Sequence, residues 1–280
     1  MRANSLALIV LLAAPAAAEP MRIDISTDAV IGLSGIEVSA DGAGFLAISD
    51  RGWFVEGTLQ REGGDLVGGE VTAVTPILGM DGQPVAARRV GDWSDAEGLA
   101  VGPDGTIWVS FERWMRVARY DGIHAPATFI RDHPTFRDYP DNRQLEALTL
   151  DAEGRPVAMP EVPLDGVFPV YRLDAGGWEI VAALEPTDGY SVVGLATADD
   201  GTIYLLERKL VLATWFRSRL SRLEADWNRV VLWESDHGEF GNLEGVSVWE
   251  APEGRRAVMV SDNNGRADIL TEIVEIRLTE

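Results

Sequence analysis

Short hydrophobic runs separated by Asp-Gly, Glu-Gly and Gly-Gly turns succeed one another along the chain, and one unit recurs. In Asn242-Leu243-Glu244-Gly245-Val246-Ser247-Val248 a polar start and a carboxylate lead into alternating apolar and polar positions. After a turn, Ala257-Val258-Met259-Val260-Ser261-Asp262-Asn263-Asn264 runs apolar and ends in a polar cluster. Asp95-Ala96-Glu97-Gly98-Leu99 repeats it through Pro103-Asp104-Gly105 into Ile107-Trp108-Val109-Ser110-Phe111-Glu112-Arg113. Leu145-Glu146-Ala147 leads through Glu153-Gly154 to Met159-Pro160-Glu161, and Val193-Gly194-Leu195 through Asp200-Gly201 to Leu206-Glu207-Arg208. Ser34-Gly35-Ile36-Glu37 leads through Asp41-Gly42 to Ile48-Ser49-Asp50-Arg51. Period-two runs bounded by turn residues are strands, so each unit is a hairpin.

The equivalent positions 34, 97, 146, 193 and 244 are 63, 49, 47 and 51 residues apart. Each interval has room for four short strands, the content of a propeller blade of ~40–50 residues. The sequence therefore predicts an all-β chain, a single β-propeller of five four-stranded blades. The count becomes six if the long first interval hides a degenerate blade. The last repeat has only three strands of its own. The strand at 21–25 is spare and is expected to pair with 273–278, closing the ring and removing an exposed edge. Leu210 to Ser218 suits helix and strand equally.

The first 18 residues belong to none of this. A basic start, an apolar core from Leu6 to Leu12 and Ala16-Ala17-Ala18 before Glu19 read as a secretory signal peptide cleaved near Ala18. The domain is then 19–280, periplasmic or secreted. No other run approaches the ~18 apolar residues of a membrane helix, so no membrane insertion is expected. There are no cysteines, which excludes disulfides and thiolate chemistry, and the formal charge is −21. Such a surface repels nucleic acid and attracts divalent cations. A monomer is expected.

The chemistry concentrates at the hairpin ends. Glu97, Glu146 and Glu244 start innermost strands, which would bring three carboxylates to one axis, where they repel unless protonated or bridged by a cation. A hard cation with oxygen ligands, calcium above all, suits them, with Asp262 and Asn263 close by. The alternative is that these glutamates only hold the ring together through backbone amides. Asp50-Arg51, Glu112-Arg113, Glu161, Glu207-Arg208 and Asp262 end the second strands and should return to the same mouth, beside Asn142 and Arg143. Arg51, Glu112, Arg113, Arg143, Glu207 and Arg208 are thus the candidate catalytic residues. Salt bridges between blades are the competing explanation. No Gly-x-Ser-x-Gly elbow and no His-Glu-x-x-His motif occurs, and the three histidines have no metal-ligand spacing.

Through Glu97, Asn142-Arg143-Gln144-Leu145-Glu146, Asn242-Leu243-Glu244-Gly245 and Val260-Ser261-Asp262-Asn263-Asn264 the chain resembles the phytase-like family. Its bacterial members are labelled "esterase-like activity of phytase family protein". The resemblance spans about Ile31 to Leu278 and implies an exported, calcium-dependent propeller with a hydrolytic activity that is inferred for most members. Ser34 and Val193 depart from the glutamate at the other anchors and break any complete ring of ligands. Three readings follow: a metal-assisted hydrolase of a small phosphoester or carboxylic ester, a non-enzymatic ligand-binding or interaction propeller, and a calcium-dependent lactonase.

Overall fold

The structure is a computed structural model that describes residues 19–27, 30–87, 93–211, 215–266 and 268–279. The leader read at 1–18 lies outside these residues. The described chain begins with β1 (Met21–Asp24). Blade one follows as β2 (Leu33–Val38), β3 (Gly44–Ser49), β4 (Trp53–Glu62) and β5 (Asp65–Pro76), and blade two as β6 (Ala96–Val101), β7 (Ile107–Phe111), β8 (Arg116–Tyr120) and β9 (Thr128–Phe129). Blade three is β10 (Leu145–Leu150), β11 (Pro156–Pro160), β12 (Phe168–Asp174) and β13 (Gly177–Leu184). Blade four is β14 (Ser191–Thr197), β15 (Ile203–Val211), β16 (Trp215–Leu223) and β17 (Arg229–Glu234). Blade five is β18 (Asn242–Ala251), β19 (Gly254–Asp262), β20 (Glu272–Arg277) and the returning β1.

Five antiparallel sheets form a ring in which β2, β6, β10, β14 and β18 touch in turn and β18 meets β2 again. The closing pair is in the expected place, Met21 opposite Glu275 and Asp24 opposite Glu272. Among the described residues the long first interval holds no sixth blade. Its length goes largely into the extended β4–β5 hairpin and the segment 77–87. Leu210 to Ser218 turns out to lie in β15 and β16, apart from 212–214, which are not described.

Each hydrophobic core lies between two neighbouring blades. At the closing seam, Ile36, Phe45 and Val55 of blade one pack with Val258, Val260 and Ile273 of blade five. A blade buries its faces only against its neighbours, so the ring forms as a unit.

The innermost strands share one irregularity. Each ladder to the second strand slips between Leu33 and Gly35, Ala96 and Leu99, Leu145 and Ala147, Val192 and Gly194, or Leu243 and Gly245. The residues left unpaired are Ser34, Glu97 with Gly98, Glu146, Val193 and Glu244, the five anchors. A bulge bends the strand and re-aims its side chain, here toward the central channel.

Two positions further along, Ile36, Leu99, Leu148, Leu195 and Val246 surround a space of about 10 Å³. That is no more than one water needs, and Ser34, Glu97 and Glu146 border the same space. The channel narrows at mid-height to this aliphatic seal, with the glutamates at one end of it.

Glu37 lies beyond the seal. Its carboxylate accepts from Ser247 Oγ at 2.9 Å, yet burial pushes its pKa up to about 7, against that bond and one from the Val101 amide. The native state therefore holds a proton that the unfolded chain releases, and stability falls as pH rises from about 4.5 toward 7. Glu37→Gln should exceed the wild type by ~2–3 kcal/mol at pH 8 and approach it at pH 5 in urea denaturation. A difference independent of pH would rule out this titration.

Candidate functional site

Strand register decides which hairpin ends share the mouth. Leu33 pairs with Ser49, Ala96 with Phe111, Leu145 with Pro160, Val192 with Glu207 and Leu243 with Ser261. One residue further, the equivalent positions are Asp50, Glu112, Glu161, Arg208 and Asp262. All five line a cavity of about 540 Å³ with Glu97, Glu146 and Glu244 below them and Asp95, Arg113, Asn142 and Arg143 around them. Eight carboxylates and four cationic side chains line it. Arg208 is the one cation in a ring position otherwise filled by acids.

Three expected site residues are not brought there. Glu207 is one residue short of the ring position, so strand alternation turns it to the opposite face. It is fully buried, with Arg219 Nε donating to it at 3.0 Å and Arg229 Nε 3.4 Å away. Arg51 lies exposed outside, its Nε 3.3 Å from Asp50. Asn263 accepts from the amides of Gly32 at 3.2 Å and Gly265 at 3.1 Å, holding two loops together. Asp95, which the repeat pattern did not single out, joins the cavity. Its signal was the Asp95-Ala96-Glu97 spacing at the start of the second repeat.

Burial governs the electrostatics. It carries the Glu97 carboxyl well above the carboxylate range, helped by the charges of Glu146, Glu244, Glu112 and Asp95. Burial does the same for Glu146, with Glu112 the largest neighbouring charge. Glu112 rises to about 7 through burial, although Oε1 accepts from the Gln144 amide at 2.6 Å and the carboxyl bonds to Glu146. Glu244 also reaches about 7, burial outweighing Arg208 beside it, while burial takes Asp50 and Asp262 to about 6. Arg208 donates to Asn242 Oδ1 at 2.6 Å and to Glu244, and its Nη2 lies 3.4 Å from Glu161. Burial opposes its charge, but these carboxylates win and hold the guanidinium above its ordinary pKa. At the rim, Arg113 Nε donates to Asp95 at 2.7 Å, and Arg143 Nε is 3.9 Å from Glu161.

Five of the acids form two clusters, of which only Glu161 also meets Arg208. Asp95, Glu97 and Glu112 each offer an oxygen within 4.8 Å of the others, and so do Glu112, Glu146 and Glu161. Two oxygens on one calcium ion, each bonded at ~2.3–2.6 Å, stand at most ~5 Å apart. With oxygen donors alone, and no nitrogen or sulfur, the set fits a hard cation and fits calcium in size.

A search of curated proteins finds no match. Among solved structures, a protein assigned as a gluconolactonase shares 16% identity over 89% of this chain and 76% of its own, with a TM-score of 0.50. A luciferin-regenerating enzyme shares 12% identity over 92% and 95%, also at 0.50. The PQQ-bound aldose sugar dehydrogenase of Streptomyces coelicolor shares 15% over 95% and 100%, at 0.48. At such identities the first two likenesses speak for the fold alone, and the third carries no argument. The family model for phytase-like proteins, described as esterase-like activity of phytase, matches residues 28–265, nearly the whole ring with both acid clusters and Arg208. The chain belongs to the phytase-like family.

Proposed function

We propose that this protein is an exported, calcium-assisted hydrolase of small phosphoester or carboxylic ester bonds that works in the acidic mouth of the propeller. The observation that carries the reading is Glu112, shared by two oxygen clusters drawn from the neighbouring hairpins of blades two and three. Repelling carboxylates at such distances favour a bound cation. Asp95, Glu97, Glu112, Glu146 and Glu161 would hold it, while Glu244 and Asp262 close the acidic wall on the side of Arg208. When bound, calcium supplies Lewis-acid polarisation of the ester oxygen and acidifies a water.

The chain's own residues do the rest. Arg113 and Arg143 reach from the rim and orient the polar end of the substrate. Arg208, fixed by Glu244 and Asn242, presents positive charge where negative charge develops on the ester. Glu112 and Glu146, beside the cation position, are placed to accept a proton from the attacking water. The aliphatic residues narrow the channel behind them. A polyanion such as phytate suits an acid-lined mouth poorly, so a small ester of low charge is the better fit.

The test is hydrolysis of p-nitrophenyl acyl esters, p-nitrophenyl phosphate and lactones, with chelator and with calcium restored. Calcium at a hundredfold excess over its Kd should stabilise the fold by ~2.7 kcal/mol. Glu146→Gln should lose that gain and at least ~100-fold in turnover. If calcium alters neither the melting curve nor any turnover, the hydrolase reading falls and a binding propeller takes its place.

A further inference from the structure

Blade four differs chemically from the other four. Its innermost anchor is Val193 and its ring position is Arg208, so it sends no carboxylate into the mouth. It is also built differently above the mouth. In blades one to three the second strand stops just before the ring position, at Ser49, Phe111 and Pro160, whereas β15 continues to Val211 and turns back as β16. Leu210 and Phe216 pair directly across this extension, so both face the same side. Among the described residues they are the only hydrophobic side chains lining the cavity. Leu210 is 55% exposed and Trp215, next in the hairpin, 54%. The Arg208 guanidinium lies 5.9 Å from the Phe216 ring centroid, so charge and apolar wall adjoin.

From these observations we infer that the β15–β16 hairpin selects the substrate, and that the cavity takes an ester carrying an uncharged apolar group. That group lies on Leu210 and Phe216 while the ester itself reaches Arg208 and the acidic floor. Large apolar side chains kept exposed at the edge of a charged cavity mark a contact made by a ligand. Leu210 stands two residues beyond Arg208, ~7 Å along the strand, a span that an acyl chain of about four to six carbons or one aryl ring covers. The inference rests on the hydrolase reading and names the substrate class for that same site.

The experiment compares kcat/KM for p-nitrophenyl acetate, butyrate and hexanoate in wild type, Leu210→Ser and Phe216→Ser. Calorimetric binding of N-phenylhexanamide, an amide analogue that resists hydrolysis, runs alongside. A lost apolar contact of this size is worth ~10-fold or more in discrimination. The hexanoate-to-acetate ratio in wild type should exceed one and drop at least ~10-fold in Leu210→Ser, and amide affinity should weaken to a similar degree. Leu210 is exposed, so the variant should keep the wild-type melting temperature. A flat chain-length series, or a ratio and affinity unchanged by both substitutions, overturns the inference. Binding that depends on Leu210 without turnover of any ester would leave the apolar wall standing and remove the hydrolase reading instead.

Discussion

Arg208→Met should cost the fold ~3–5 kcal/mol, because it leaves buried carboxylates without their counter-charge. The guanidinium is only 16% exposed, and Glu244 and Glu161, which it contacts, are each 10% exposed. In a domain of this size each kcal/mol moves Tm by ~2–4 °C, so the expected fall is roughly 6–20 °C. Methionine preserves most of the side-chain volume, which keeps the effect electrostatic. Adding Glu244→Gln to Arg208→Met should recover part of the loss, since the double variant has one buried charge fewer to compensate. Urea denaturation at pH 8 measures both. A loss below ~1 kcal/mol, the range of an exposed ion pair, would show that water already screens these acids.

The second large effect concerns ring closure. A Cβ at Gly245 would stand 2.9 Å from Gly35 Cα, Ile36 N and Ser34 O, all backbone of blade one. No side chain can swing aside to make room. Gly245→Val therefore has to part blades five and one, opening the core that holds Phe45 and Ile273. Overpacking a core typically costs ~1–3 kcal/mol. Here rigid backbone and loss of closure put the expectation above ~4 kcal/mol, enough to leave little folded protein at 37 °C. Gly176 has nothing within 4 Å of its Cβ position, so Gly176→Val should change stability by less than ~0.5 kcal/mol. A Gly245→Val protein that folds and melts like the Gly176 variant would mean that the innermost strands are not in contact at the axis.

The glycines and alanine after the anchors were visible in the sequence as a recurring small residue, but not their partners. Gly35 approaches the Glu97 carbonyl, Gly98 that of Glu146, Gly194 that of Glu244 and Gly245 that of Ser34. Four of the five innermost strands thus lean on the bulge of another blade's anchor. These contacts join residues dozens or hundreds of positions apart, and only the closed ring brings them together.

By itself the sequence determined the all-β class, the five repeats, the seam between the first and last strands, and the acid-rich ends of the hairpins. Those features are local. Period-two alternation, turn residues and repeat spacing are written within each blade and survive without knowledge of the neighbours. Tertiary structure alone decided which acids meet. Glu207 and Arg208 are adjacent, and spacing from Val193 does not choose between them, whereas the bulge and the register place Arg208 in the mouth and Glu207 behind it. Asp95 joined Glu97 and Glu112 in the same way, while Arg51 and Asn263 turned to loop contacts. The physical reason is that a strand's side chains alternate faces, so one unpaired residue redirects everything after it, and the axis gathers residues from different blades only once the ring has closed.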